Sequence, residues 1–491
     1  MSDNVFFMQS DISGYPEVDS LFRPSTVYPE YPFSNDISPK MNSAYELFRN
    51  TLILARLDIE NVETPNWNPF GKYIKPNDTV LIKPNLVMDR NENGEGTDCL
   101  YTHPSLIAAA IDYVIIALKA KGKIFVGDAP MQECDFDNLI EQSGLKALIQ
   151  YYKKKGIDIS LIDFRGLKSK NVNGIYHQEL QNEDGTIIDL GKDSEFADFE
   201  ERDLKNLRIT NYSPALLREH HNRQKHEYYV SNYLLKADVV INMPKPKTHR
   251  KAGITGALKN MVGINVRKEF LPHHTLGSKE SSKGDEYLKT SCLKYWSSVV
   301  KDKQNVYISS KRYFCAQIAK HISRVFFYAD RLLNKDHFSQ GSWYGNETIS
   351  RTICDLNKIL LYADKSGMMQ DVVQRRVLII ADMIIMGEKE GPVLPSPKTV
   401  GIIGLSSDPV FFDECLAAVM GVNPNDIPTI RFAKAIKNKK KLYHDDDKAA
   451  IVSNNPAWNN KLPDEIEKES SLMLIPTSGW RHVFYATEHL S

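Results

Sequence analysis

Between residues 79 and 163, short runs of β-branched and apolar residues alternate with helix-spaced segments. That order leaves few folds open. Thr79–Leu86 (TVLIKPNL) reads as a buried strand that stops at Pro-Asn. His103–Lys121 carries Leu106, Ala109, Ala110, Tyr113 and Ala117 at helical spacing. Lys123–Val126 is a short strand ending in Gly127-Asp128, Phe136–Lys155 is helical again, and Ile157–Asp163 is a third strand. Strand–helix–strand order brings strands together in parallel, because the crossover returns the chain to the same edge of the sheet. The fold class is therefore α/β: a largely parallel sheet with helices on both faces, in one or two lobes.

The rhythm is broken twice. Residues 165–230 are polar, with turn signals at Asn173-Gly174 and Asp184-Gly185, and read as an insertion bearing hairpins. Residues 277–345 form a second insertion, Lys- and Ser-rich at first and then helical through Tyr313–Leu333. Asp238–Met243, Arg376–Met386 and Lys398–Leu405 resume the sheet, and Ile349–Ala363 and Phe411–Met420 read as helices. This organisation predicts an N-terminal arm and lead-in over 1–77, a core α/β domain over 78–435, and a C-terminal extension over 436–491. Residues 1–50, rich in Pro, Ser and aromatics, read as an extended arm packed on the body.

Lys+Arg and Asp+Glu both total 62, so no global basic footprint points to nucleic acid. The 6 cysteines are scattered with no CxxC pair, so neither a cysteine zinc site nor an iron–sulfur loop is visible. Sparse cysteine use fits a reducing cytoplasm, and the acidic N-terminus carries no signal-peptide pattern. No apolar run is long enough for a transmembrane segment. Arg324–Leu333 (RVFFYADRLL) is apolar enough to rest on a membrane surface, although a partly buried helix is the commoner origin of such a stretch. A homo-oligomer is left open.

Against this neutral background, positive charge gathers at one place. Val239–Asn265 (VVINMPKPKTHRKAGITGALKNMVGIN) reads as a buried strand, an extended Pro-spaced link and a helix. Ile254, Ala257, Leu258, Met261 and Val262 mark one helix face, and Lys251, Thr255 and Lys259 form a stripe on another. A helix start offers unpaired N–H groups to an anion, and ligands of open α/β sheets bind beyond strand ends. Lys245, Lys247, Arg250, Thr255 and Asn260 are thus candidate substrate-binding residues. Lys83 and Asn85 join them from the end of the first strand. A lysine there can hold phosphate or carboxylate.

His103, His249, Lys259 and Asp128 are the candidate catalytic residues. The histidines titrate near neutrality, and a carboxylate at Asp128 could orient one of them or bind a cation. Thr102 or the Pro104 turn could equally make His103 a bystander at a helix cap. Asp408 precedes Pro409 and reads foremost as a helix cap, while Glu388, Glu390 and Asp413 follow strand ends nearby. His274, beside His273, is the candidate metal ligand. No GxGxxG, Walker or GxSxG motif is present.

Several of these segments resemble one family. VLIKPNL (Val80–Leu86), THP (Thr102–Pro104), Gly127-Asp128, NMPKPKTHRKAGITGALKNMVGIN (Asn242–Asn265), EGP (Glu390–Pro392) and DPVFFDECLA (Asp408–Ala417) are similar to the family called domain of unknown function 362. The resemblance runs from about residue 78 to 430. Some members carry ferredoxin-like cysteine clusters, a feature this chain lacks. A second, sparser resemblance is to the nickel-pincer lactate racemases. It implies Lys259 as cofactor tether, His274 as metal ligand, and His103 with His249 as the acid–base pair. The cofactor itself is left unknown, with a divalent metal or a pincer-type group as the options.

These readings lead to an enzyme for a small anionic substrate: a carboxylate, a phosphorylated metabolite or a sugar nucleotide. Its chemistry would be of isomerase, epimerase or oxidoreductase type, run by His and Lys. The alternatives are a non-catalytic anion-binding or scaffold protein, or an electron-transfer protein that has lost its cluster motif.

Overall fold

The computed structural model of the protein describes residues 4–17, 21–181, 183–280, 283–334, 337–437, 439–443 and 449–487. In chain order the elements that matter here are β1 (Val5–Gln9), α1 (Ser43–Leu54), β2 (Thr79–Pro84), α2 (Pro104–Leu118), β3 (Lys123–Asp128), α3 (Phe136–Gln142), α4 (Leu145–Lys154) and β4 (Ile159–Asp163). Then follow β5 (Val239–Met243), β6 (Lys247–His249), β7 (Gly253–Thr255), α5 (Ala257–Asn260), α6 (Cys292–Ser309), α7 (Tyr313–Asn334) and α8 (Thr348–Tyr362). The last are β8 (Arg376–Glu390), β9 (Leu394–Ser406), α9 (Pro409–Met420) and β10 (Ile451–Ser453).

One 10-stranded sheet runs β10-β1-β9-β8-β5-β2-β3-β4, with the β6–β7 hairpin joined to β8. Strands β8, β5, β2, β3 and β4 are mutually parallel, as the alternating pattern predicts. β9 is antiparallel to both β8 and β1, and β10 runs parallel to β1. The central strands read as continuous apolar runs because both of their faces are covered. Val80, Ile82, Val239 and Ile241 pack under α1, α2 and α4, while Leu81 and Val240 pack on the opposite face beneath α8 and the first insertion. Helices therefore lie on both faces.

Four expectations are corrected. The N-terminal arm is more than a strap, because Val5–Gln9 lies between β9 and β10 within the sheet. The helix expected over Phe136–Lys155 is two helices, broken where Gly144 takes φ 83°. The helix expected just beyond His249 starts only at Ala257. Gly253 and Ile254 instead pair back onto His249 and Thr248 as a hairpin. Finally, Thr102 does not cap α2. The His103 side chain does, accepting from Ser105 N. Among the described residues, no helix is long and apolar enough to cross a membrane.

Candidate functional site

The parallel strands end on one edge, and the first insertion and the β6–β7 hairpin rise above it. Between them lies a cleft of about 170 Å³. Its lining includes Lys83, Asn85, Asp128, His249, Arg250, Thr255, Lys259 and Asn260, eight of the residues singled out from sequence. His103, Lys245, Lys247 and His274 do not line it.

The floor is a closed polar network. Lys83 Nζ donates to Asp128 Oδ1 (2.8 Å), Pro84 O (2.9 Å) and Asn260 Oδ1 (3.0 Å). Asn260 Nδ2 donates to Asn242 Oδ1 (2.7 Å), and Asn242 Nδ2 to Ala257 O (2.9 Å). Asp128 Oδ2 accepts from Leu86 N (2.6 Å). All three ammonium donors of Lys83 are thereby committed to the protein. Burial pushes its pKa down, and Asp128 partly restores it. Lys83 and Asp128 thus form a brace tying β2 to β3 and α5, where free charge for a substrate was expected.

The expected anion site at the helix start is also filled from within. Asp413 on α9 accepts from Ala257 N (2.6 Å) and Leu258 N (3.0 Å). It supplies the negative charge that a helix N-terminus favours. Burial raises its pKa to about 7. The glycines fit this account: a Cβ on Gly256 would collide with the Asp413 carboxylate, and one on Gly263 would collide with Asp128 Oδ1. They make room for internal carboxylates. Asp413→Ala should cost about 2–5 kcal/mol by stranding two buried N–H groups, seen as a lower denaturant midpoint. An unchanged midpoint would refute the capping role.

Asp408 caps α9, accepting from Val410 N and Phe411 N at 2.8 and 2.9 Å, as read from sequence. Glu388 and Glu390 accept from Ile475 N (3.0 Å) and Ser478 N (2.8 Å), holding the C-terminal segment. That segment in turn grips the β6–β7 turn, where Trp480 Nε1 donates to Arg250 O (2.9 Å).

The walls of the cleft carry the groups that remain available. His249 Nδ1 accepts from Lys251 N and Ala252 N, both at 3.1 Å, so the neutral ring carries its proton on Nε2. Burial, then Lys259, Arg250 and Lys251, hold its pKa well below the usual histidine value. His273 is the opposite tautomer. Its Nδ1 donates to Leu271 O (2.8 Å), which leaves the Nε2 lone pair open. Its pKa is pushed down to about 3 by burial and then by Lys251. The Lys259 ammonium makes no hydrogen bond or ion pair among the described residues. Burial, Lys268 and Lys83 lower its pKa to about 7. Lys268 donates to Pro130 O (2.6 Å) and is lowered to about 8. Lys251 donates to Thr210 Oγ1 (3.1 Å) and to Gln340 O, and is lowered to about 7. Thr255 Oγ1 is buried with no hydrogen-bond partner among the described residues. Asn85 is fixed by its backbone N donating to Thr102 Oγ1 (2.9 Å). Sequence reasoning did not place His273, Lys251 or Lys268 among the substrate-binding or catalytic candidates. Proximity to the basic block was the one signal for the lysines.

The other half of the basic block faces a different neighbourhood. Lys245 Nζ pairs with Asp382 Oδ2 (3.0 Å), bonds the Tyr15 hydroxyl and lies over that ring. His103 stacks on Tyr15 at 3.8 Å between centroids, and its backbone N donates to Asp382 Oδ2 (2.9 Å). Lys247 Nζ donates to Leu100 O (3.1 Å) and Lys245 O (2.9 Å), and burial lowers its pKa to about 7. His274 lines a second cavity of about 300 Å³, with Nε2 4.0 Å from Glu286 Oε1. Among the described residues no three His, Cys, Asp or Glu side chains gather as a metal site. The four residues aligned with the nickel-pincer enzymes are therefore split. Lys259 and His249 share the cleft, His103 packs on Tyr15, and His274 faces the second cavity. This arrangement does not fit a tethered metal group.

Comparison with known proteins agrees with the motif reading. The sequence model of the family described as Domain of unknown function (DUF362) matches residues 80–182 and 192–418. A thylakoid-associated protein of Synechocystis sp. is 28% identical over 218 residues, covering 44% of this chain and 49% of that protein. The chain thus spans about half the length of the curated relative it matches. No solved structure matches. With more than half of its residues matched, the chain belongs to the DUF362 family.

Proposed function

We propose that the cleft binds a small carboxylate or phosphorylated metabolite and moves a proton on it, as an isomerase or epimerase does. The observation that carries this reading is the trio of His249, His273 and Lys259 on one cleft. His249 presents an N–H and His273 a lone pair. Lys259 is an amine with a pKa of about 7 and no protein partner among the described residues. The His273 lone pair can accept a proton, the neutral His249 N–H can hydrogen-bond a developing negative oxygen, and Lys259 can return a proton from its ammonium. Lys259 and Arg250 supply positive charge for a bound anion, and Thr255 and Asn85 supply directional hydrogen bonds. Lysine and histidine pKa values displaced this far concentrate at functional sites, which supports the reading independently of any motif. The family description carries no activity. The relative's name speaks of where that protein is found and not of its chemistry.

The test is proton exchange. The protein is incubated in deuterium oxide with a panel of 2-hydroxy acids, sugar acids and phosphorylated sugars, and loss of C–H signal is followed by nuclear magnetic resonance. One compound should exchange, and His249→Ala should slow that exchange by about 10²–10⁴-fold. Tight anion binding with no exchange on any compound would instead favour a binding protein that uses the same cleft.

A further inference from the structure

The second insertion ends in two antiparallel helices, α6 and α7, and the outer face of α7 is uncovered. Its inner side chains Ala316, Ala319, Ser323 and Asp330 are buried. On the outer side, Phe314 is 79% exposed, Val325 67% and Leu332 84%, with Ile318 and Ile322 between them near half exposure. With Tyr328, 57% exposed, these positions recur at three- and four-residue steps from 314 to 332, so they form one apolar stripe along about 27 Å of helix. Trp296 on α6 is also half exposed, whereas Trp67, Trp343, Trp458 and Trp480 are fully buried.

The charge around this stripe has one sign. Lys303, Lys311, Arg312, Arg324 and Arg331 are exposed on the two helices and their connecting turn. The acids between residues 292 and 334 are Asp302 and Asp330. Asp302 is paired with Arg208 (2.7 Å), and Asp330 is buried, accepting from Asn334 Nδ2 (2.6 Å) and from Ser291 Oγ. The outward face therefore offers apolar side chains and cations, with no exposed carboxylate of its own among the described residues.

We propose that the α6–α7 hairpin docks this chain on an anionic lipid surface, with the Phe314–Leu332 stripe in the interfacial layer and the flanking Lys and Arg on headgroups. An apolar stripe accompanied by Lys and Arg, with an exposed Trp on the neighbouring helix, is the pattern that lies in the plane of a bilayer surface. Each cation near such a surface adds to the attraction. A second copy of the chain is a poorer occupant, because two such faces brought together would oppose cation to cation. Away from the stripe, α7 packs against a hairpin that reaches the cleft. Tyr313 of α7 stacks on His177 at 3.8 Å, and Lys320 donates to Asn173 O (3.3 Å). His177 belongs to the hairpin Leu167–Val172/Ile175–Leu180, whose Tyr176 and Gln178 line the cleft.

The experiment uses the full chain and vesicles of phosphatidylcholine, with and without phosphatidylglycerol. The protein should cosediment with the anionic vesicles, and binding should weaken with salt. Trp296 emission should shift to the blue and become shielded from acrylamide, since the other four tryptophans are already buried. The double variant Phe314→Glu/Val325→Glu should bind about tenfold more weakly or less, while keeping its circular dichroism and thermal midpoint, because both side chains are exposed. Absence of binding to any vesicle, or binding unchanged in the variant, overturns the proposal. So does a dimer in light scattering that the same variant dissociates, which would assign the stripe to a second copy.

Discussion

Lys83→Met destabilises the protein by about 3–5 kcal/mol, because it leaves the Asp128 carboxylate buried without its cation. Both side chains are nearly inaccessible, at 0% and 5% exposure. Solvent therefore replaces the missing ammonium far less well than it would at a surface pair. The loss spreads beyond the pair. Asn260 loses the Lys83 Nζ donor and Pro84 O loses its partner, so among the described residues the Asn260 side chain keeps its Nδ2 bonds alone, to Lys83 O of β2 (3.2 Å) and Asn242 Oδ1 of β5 (2.7 Å). Asp128→Asn alone strands a buried lysine in the same way. The double variant Lys83→Met/Asp128→Asn removes both charges and should be markedly less destabilised than the sum of the single variants. The amide oxygen introduced in place of the carboxylate can still accept from Leu86 N. A double-mutant cycle in denaturant measures this. Additive single costs would show that the brace is not a coupled pair.

The brace also explains how far the site could be read from sequence. Lys83 was legible as a lysine at a strand end, and the structure puts it at the cleft. What spacing cannot show is whether an ammonium has spare donors, and that is decided by Asp128 and Asn260 arriving from elements 45 and 177 residues away. The same limit governs Lys245 and Lys247. They are near neighbours of His249 in the chain, yet they face Asp382 and backbone carbonyls, because Tyr15 and Asp382 arrive from segments far from them in the sequence. His273 and His274 differ for a local reason. His274 pairs with Arg208 in a two-residue ladder, and successive residues of an extended chain point to opposite sides. One histidine therefore meets the cleft and the other the second cavity.

The fold was legible where burial on both faces makes a strand apolar almost throughout, as in Val239–Met243 and in Arg376–Met386, which the structure extends to Glu390. It was not legible at Val5–Gln9 or Ile451–Ser453, which are short and gain their strand geometry from β9 and from each other. The β6–β7 hairpin was hidden by coincidence. Ile254, Ala257, Leu258 and Met261 fall at helical spacing, but Gly253 at φ 79° turns the chain back and Trp480 packs where its Cβ would be. Tertiary contact overrode a real periodicity.

Lys259→Met should make the empty protein more stable and its cleft weaker toward anions, and pH separates the two effects. The pKa of Lys259 in the fold is about 7, against an ordinary 10.5. Between those values the unfolded chain holds a proton that the folded chain does not. The wild-type lysine therefore destabilises most at and below pH 7, and this cost fades as pH rises toward 10.5. Removing it should raise stability by about 1–2 kcal/mol near pH 6.5, allowing for the water that reaches the cleft. The gain should shrink steadily at higher pH. Anion binding runs the other way. A bound carboxylate or phosphate favours the charged ammonium, so binding draws in protons, and wild-type affinity should fall as pH passes from about 6.5 to about 9. Lys251 at about 7 and Lys268 at about 8 add to the same slope. Loss of one charge-assisted contact costs about 1.5–3 kcal/mol, so Lys259→Met should weaken a probe such as inorganic phosphate roughly ten- to a hundredfold. Titration calorimetry in buffers of different ionisation enthalpy reads the proton uptake directly. An affinity flat across this range, or a variant less stable than wild type near pH 6.5, would mean that Lys259 is an ordinary surface lysine. The cleft would then have lost the amine that distinguishes it from a solvated basic patch.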